Sequence, residues 1–420
     1  MNMSDITIRS QTRGPWVQLL LGIVCMVMVS NLQYGWTLFV NPIDEAHGWG
    51  RAAIQVAFTI FILVQTWLVP LEGYLVDRFG PRPLAFSGGL FVLGAWAVNS
   101  FASSLPVLYA GAVLGGIGVG IVVSVCYGNA LKWFSERRGL AVGLTAAGYG
   151  AGSALTIIPI SWVIADYGYE TAFFIFALLQ GGVVMLASLF LRTPSMPQEG
   201  PSAPLKGSEI DAYSPIATLK TPVFWVMYVM FVLVAAGGLM AIAQLALLAA
   251  DFGVADIPVN VLGLTLPALV LALSLDRITN GISRPFFGWV SDWMGRERTM
   301  FIAFMLEALS VCGLVLLADN PFLFVLLSGL VFFAWGEIFS LFPSLCTDLF
   351  GKRFATTNYG MLYTAKGVAA LVVPVGSIWA AQWGWTSLLL TIAALDVVAA
   401  LLALFVLMPL GKQLLRKSLA

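Results

Sequence analysis

Two arginines and a lysine stand in stretches otherwise apolar enough to dissolve in lipid. The segment LALSLDRITNGISRPFFGWVSD, residues 271 to 292, contains Asp276, Arg277 and Arg284, and a later apolar stretch contains Lys366. A charge at the centre of a bilayer costs at least ~2.5 to 3.5 kcal/mol on insertion scales, so it is retained where it binds something or is paired. Arg277 and Arg284 are seven residues apart, nearly on one face of a helix, and Asn280 lies on the same stripe. Arg284 precedes Asp292 by eight residues, about 12 Å of helix, and Lys366 follows Arg353 by thirteen, about 20 Å. Both cations can therefore approach the same depth from one end of the fold, which suits an anion held between them. An arginine binds a carboxylate through two parallel N–H groups and stays charged where the dielectric is low, while a lysine adds a compact point charge.

The acidic residues in these stretches set the charge balance. Asp276 adjoins Arg277, as an ion pair or as part of a site. Glu337 lies eleven residues before Asp348, at a depth like that of Arg284, and competes as a partner for either Arg284 or Lys366. Glu307 reads as a peripheral structural residue. Counted together, Arg277, Arg284, Lys366, Asp276 and Glu337 leave one surplus positive charge, which fits a monoanion; with Glu337 protonated, a dianion fits instead. Glu337, Asp276 and Arg277 are therefore charge-tuning or coupling candidates.

The chain that must position these groups is built for lipid. Sixty per cent of its 420 residues are hydrophobic and ten per cent charged, far from the soluble norm of about a quarter charged. Twelve apolar stretches are long enough to cross a bilayer: 16–40, 52–75, 84–101, 106–131, 139–164 and 170–191, then 222–250, 262–290, 299–317, 321–345, 356–381 and 384–409. The Pro- and Ser-rich segment 192–220 reads as a linker, so we expect an N-terminal six-helix bundle at 1–191 and a C-terminal one at 221–420. Basic residues of the short loops, including Arg9, Arg13, Arg78, Arg82, Lys132, Arg138, Lys206, Arg296, Arg353 and Lys417, fall on the side shared by both termini, and only Arg51 on the other. This bias places both termini in the cytoplasm, in a multi-pass protein of the cell membrane. A net charge of zero and no basic tail give no sign of nucleic-acid binding. The four cysteines form no CxxC pair and no metal-ligand cluster or cofactor motif is visible; the one histidine, His47, falls in an external loop. Nothing here suggests an enzyme, a cofactor or a metal.

The sequence repeats itself. PLEGYLVDRFG and RPFFGWVSDWMG share P-x-x-G-x-x-x-D-x-x-G, matching Gly73, Asp77 and Gly80 to Gly288, Asp292 and Gly295. RGLAVGLTAAGYG and RFATTNYGMLYTAKG match Gly143 and Gly150 to Gly360 and Gly367, which sets Tyr149 opposite Lys366. Such duplication is common in transporters. The turn GYLVDRFGPR, with Gly73, Asp77, Arg78, Gly80 and Arg82, resembles the gating signature of the major facilitator superfamily. That resemblance implies an all-α membrane fold of twelve helices in two pseudo-symmetric six-helix bundles.

More specifically, SNLQYGWTLFVNP, NGISRPFFGWVSDWMGR, FFAWGEIFSLFPS and NYGMLYTAKG resemble the corresponding segments of the oxalate:formate antiporter family, a likeness that runs along essentially the whole chain. It implies that Arg284 and Lys366 bind the two carboxylates of oxalate, and that Gln33, Tyr34, Tyr149 and Trp335 line the cavity, with Asn280 beside Arg284. The Arg-Pro pair also resembles monocarboxylate transporters, in which an Asp stands where this chain has Asn280. The expectation is a monomer that exchanges small carboxylates by alternating access, with proton-coupled monocarboxylate transport as the alternative.

Overall fold

The structure is a computed structural model and describes residues 3–194, 213–261 and 263–419. Lys206, in the centre of the linker, lies outside the described residues, as do the side chains of Arg9, Arg13, Arg51 and Lys417.

In hydrocarbon every backbone N–H and C=O must be satisfied within the chain, so the apolar stretches become helices. Span 1 is Met3–Val29, broken at Ser30 and followed by Asn31–Tyr34 and Thr37–His47. Span 2 comprises Arg51–Trp67 and Val69–Phe79, bent by 47° at Leu68. Spans 3, 4 and 5 are Pro81–Ser100, Leu105–Trp133 and Arg138–Tyr167, and span 6 is Tyr169–Ser188 with a π-helical turn at Ala177–Gly181. In the second half, spans 7, 8 and 9 are Pro222–Asp251, Ala268–Met294 and Arg296–Leu317. Span 10 comprises Pro321–Trp335 and Ile338–Phe350. Spans 11 and 12 divide the segment Ala355–Leu401 at Gly384, where φ is 81°.

Among the described residues, eight helices are individually long and apolar enough to cross a membrane, or nine with the bent pair of span 2. Span 8 is not one of them, because Asp276, Arg277 and Arg284 interrupt its apolar run. Span 8 also starts later than its hydropathy predicts. Pro258–Val261 and Leu264–Pro267 form an antiparallel hairpin with Val259 opposite Leu266, and the helix starts only at Ala268. The alternation of apolar and polar residues in VNV and LTL, around Gly263 at φ 87°, has the period of a strand.

The repeat reappears in the backbone. Gly80 and Gly295, the last glycines of the two matched motifs, end spans 2 and 8 at φ 84° and 96°, a region costly to any residue with a Cβ. The two bundles meet along two seams. In one, span 5 lies on span 8: Gly139 contacts Gly288, and Gly143 contacts the Arg284 carbonyl. In the other, span 2 lies on span 11, where a Cβ on Gly73 would stand 2.6 Å from the Thr356 carbonyl oxygen and one on Gly360 would stand 2.7 Å from that of Val69. Of the glycines that repeat in the sequence, Gly73, Gly143, Gly288 and Gly360 lie where the bundles touch.

Candidate functional site

Arg284 and Lys366 are both buried, with 2% and 5% of their surface exposed, and both face the ring of Phe339. The Arg284 guanidinium carbon lies 4.7 Å from the ring centroid and the Lys366 Nζ 5.6 Å from it. A shared ring bounds the separation of the two cations to about 10 Å, and each cation–π contact contributes ~0.5 to 2 kcal/mol toward holding the charge out of water. Arg284 donates from one terminal nitrogen to the Ala146 carbonyl (2.7 Å) and from the other to Asn280 Oδ1 (2.8 Å), while its Nε has no protein acceptor. Lys366 donates to the Tyr363 hydroxyl (3.1 Å). No carboxylate pairs with either cation among the described residues.

That last observation corrects one expectation. Glu337 is fully buried, yet both its oxygens lack a protein donor, and it is paired with neither Arg284 nor Lys366. Span 10 breaks at Gly336 and Glu337, and Gly336 packs on Ser283 Oγ of span 8. Beyond the break, Phe339 meets both cations, whereas Glu337 makes an ion pair with neither. Asp276 and Arg277 do not form an ion pair either: Asp276 is buried, whereas Arg277 is exposed. Adjacent residues on a helix differ by about 100° and do not face each other.

The first bundle contributes an uncharged, hydrogen-bonded wall. The Tyr149 hydroxyl donates to Gln33 Oε1 (2.8 Å) and accepts from Gln65 Nε2 (3.0 Å), and the Tyr149 ring meets Tyr34 edge-on at 5.6 Å. Gln33, Tyr34 and Tyr149 thus come together as expected from the resemblance, and Tyr34 lies within electrostatic range of Lys366. Asn280 is buried and holds the Arg284 fork in place. Trp335 packs at right angles on Phe339, 5.4 Å away, but its indole N–H turns toward Gly238 of span 7. Sequence reasoning missed Phe339, Gln65, Tyr127, Tyr359 and Tyr363. Aromatic residues occur in every span of this chain, so the tyrosines and Phe339 did not stand out from ordinary packing, and Gln65 shows its role only through its hydrogen bond to Tyr149.

At the end of the fold that carries both termini, the repeated aspartates join the bundles. Asp77 pairs with Lys132 (2.7 Å) and accepts from the backbone N–H (2.8 Å) and hydroxyl (2.6 Å) of Thr357, in the first turn of span 11. Asp292 accepts from the backbone N–H groups of Gly139 and Leu140, each at 2.9 Å, in the first turn of span 5, and pairs with Arg296 (2.6 Å). A carboxylate at a helix N-terminus meets unsatisfied N–H groups and the positive end of the helix dipole. Asp348 adds ion pairs to Arg138 of the other bundle and to Arg296. Arg78 turns away to its own Tyr74 and Phe79, and Arg82 is exposed. These inter-bundle hydrogen bonds lie between this end and the depth of Arg284. The protein is closed at the terminus-bearing end.

Two bundles, a repeated turn that ties them together and a pair of buried, unpaired cations fit a secondary transporter of the major facilitator type. The chain belongs to the Major Facilitator Superfamily, whose profile matches residues 19–374 and, in a second match, 278–418. It is a multi-pass membrane transporter and not an enzyme. It is 36% identical to the oxalate:formate antiporter of Oxalobacter formigenes, over 94% of this chain and 92% of that one. It is 28% identical to monocarboxylate transporter 11 of Homo sapiens, over 83% of this chain and 71% of that one. The fucose transporter FucP in its outward conformation superposes with a TM-score of 0.68 at 13% identity, covering 93% of this chain and 98% of FucP. The human organic anion transporter MFSD10 superposes with a TM-score of 0.67 at 18% identity, covering 94% and 99%.

Proposed function

We propose that this protein exchanges small carboxylates across the cell membrane, in the manner of oxalate:formate exchange, with Arg284 and Lys366 holding the anion. The observation that carries this reading is the pair of buried cations on one aromatic ring with no carboxylate between them. Two uncompensated charges in a low-dielectric cavity are costly, and an anion that bridges them offsets that cost. A dicarboxylate such as oxalate presents one carboxylate to each cation; two monocarboxylates, or one with a water, fill the same space less completely. Gln33, Tyr34 and Tyr149 close the other wall, and Asn280 and Ala146 orient the arginine fork. The bundles, 1–191 and 221–420, rock about this site as a monomer, with 192–220 as the cytoplasmic connection. With both termini cytoplasmic, the seal made by Asp77 and Asp292 closes the inner side and the site is reached from outside.

Counterflow in proteoliposomes tests the reading. Vesicles loaded with unlabelled oxalate or formate should accumulate labelled oxalate, whereas empty vesicles should not. Equal uptake into loaded and empty vesicles would refute exchange. Uptake driven by an imposed proton gradient into empty vesicles would instead support proton-coupled monocarboxylate transport, a reading favoured by the unpaired carboxyl of Glu337 behind the cavity.

A further inference from the structure

The second bundle buries two more carboxyl groups, away from the cations. Glu307 of span 9 and Asp396 of span 12 are both fully buried, and none of their four carboxyl oxygens has a protein donor. They are close enough to interact electrostatically, and Glu337 also acts on Glu307. Span 7 passes them at Gly237, where a Cβ would stand 3.5 Å from Asp396 Oδ1, and brings no charged group. Span 9, which carries Glu307, packs against span 12, which carries Asp396, and against both segments of span 10, which flank Glu337. More than nine in ten buried polar groups in proteins find a hydrogen-bond partner. Glu72 and Asp276 are also buried without a protein donor, but Glu307, Glu337 and Asp396 lie on span 9 and on two spans packed against it in one bundle.

The chemistry of the site follows from what is there. Two ionised carboxylates side by side in an apolar core repel each other, and each costs several kcal/mol (about that order) in lost hydration. One held proton removes the repulsion, because a carboxyl O–H can then donate to its neighbour's oxygen, and a second proton removes the remaining buried charge. No group of three or more acidic, His or Cys side chains among the described residues is arranged to hold a metal ion. Glu337 provides the second, independent feature: an unpartnered and fully buried carboxyl at the break of span 10, a span that packs against span 9.

We propose that Glu307 and Asp396 form a proton-binding pair inside the second bundle, with Glu337 as the link through which it exchanges protons with the anion cavity. A proton leaves cavity water, is held on a Glu337 oxygen, and passes to the pair, where one O–H bond forms as another breaks; the return path reverses these steps. The site is distinct from the Arg284–Lys366 cavity and does not depend on which anion is carried.

Infrared difference spectroscopy of the purified full-length protein in lipid, with no anion added, tests the site separately from transport. Protonated-carboxyl C=O bands should respond to pH and to deuteration but not to sodium. Glu307→Gln and Asp396→Asn should each remove one component and shift the other. Glu337→Gln should keep both components and slow their hydrogen–deuterium exchange several-fold. If no such band is removed by either substitution, or if the bands follow sodium rather than pH, the proposal is wrong. Should either amide variant fail to fold, Glu307→Asp and Asp396→Glu keep the carboxyls and must still shift the bands of the pair. Unshifted bands in those variants would overturn the assignment as well.

Discussion

The two inter-bundle seams are built on the same plan and do different chemistry. Where span 5 meets span 8, Gly143 lies against the backbone of Arg284, and Gly150 leaves room for its guanidinium: a Cβ there would stand 3.1 Å from Arg284 Cζ. Where span 2 meets span 11, Gly360 lies against the backbone of Val69, and the glycine matching Gly150 is Gly367, covered by Trp67. Val69 thus holds the place of Arg284, and Tyr149 that of Lys366. The gates kept their symmetry, since Asp77 and Asp292 each bind the N-terminal turn of a span in the opposite bundle. The groups proposed to hold the anion lost theirs, with both cations in the second bundle and a neutral hydrogen-bonded wall in the first. Closure needs both halves to be alike, while holding an asymmetrically placed anion does not.

Substitutions in one half and not the other separate these two roles. The largest effect is expected from Lys366→Gln, which leaves one cation and should lower oxalate exchange by about 100-fold or more, the scale of a lost charged contact of ~3 kcal/mol. The same protein should still reach the membrane and retain its thermal stability, and a monocarboxylate should lose less than oxalate does. Swapping the halves, Tyr149→Lys in the Lys366→Gln background should not restore exchange, and restoration would show that the asymmetry is unimportant.

Asp292→Asn removes a charged acceptor from the first turn of span 5. A helix-terminal charged contact of this kind is worth ~1 to 2 kcal/mol, so the closed population should fall by about tenfold. Spin-label distances across the terminus-bearing face would read this as a widened distribution. Asp77→Asn should have a similar effect, because its geometry is equivalent; a large difference between the two would break the symmetry of the gates.

Glu337→Gln should move preference toward dicarboxylates and flatten the pH dependence of transport, measured as competition between labelled oxalate and formate over a pH series. Unchanged selectivity and pH profile would make Glu337 a packing residue. The smallest effect belongs to Tyr149→Phe, which removes the hydroxyl that joins Gln33 to Gln65. The loss of ordinary hydrogen bonds costs about 1 kcal/mol, so oxalate affinity should fall about fivefold with the maximal rate little changed.

Much of this was legible in the sequence, for identifiable reasons. Apolar length gave the spans, since lipid leaves the backbone few alternatives, and the P-x-x-G-x-x-x-D-x-x-G repeat gave Asp77, Asp292 and the helix-ending glycines. Arg284 and Lys366 stood out because charge is rare in such stretches. The hairpin at 258–267 was hidden because a short apolar run has the same composition in strand and helix. Phe339 was hidden because its role depends on a break at Gly336 and Glu337 that carries no proline, and one phenylalanine among many has no mark of its own. The pairing of Glu337 with a cation was misjudged for the same reason: equal depth on neighbouring helices fixes height but not azimuth.

The claim that the arginine fork is the anion handle is tested most directly by oxalate binding to the purified protein and to Arg284→Lys, measured calorimetrically at one pH and salt concentration. Lysine keeps the charge and loses the fork. The account predicts that wild type binds oxalate and that Arg284→Lys, folded and inserted as before, binds it at least about 100-fold more weakly, as expected when a bidentate charged contact is lost. Wild-type affinity in Arg284→Lys would contradict it.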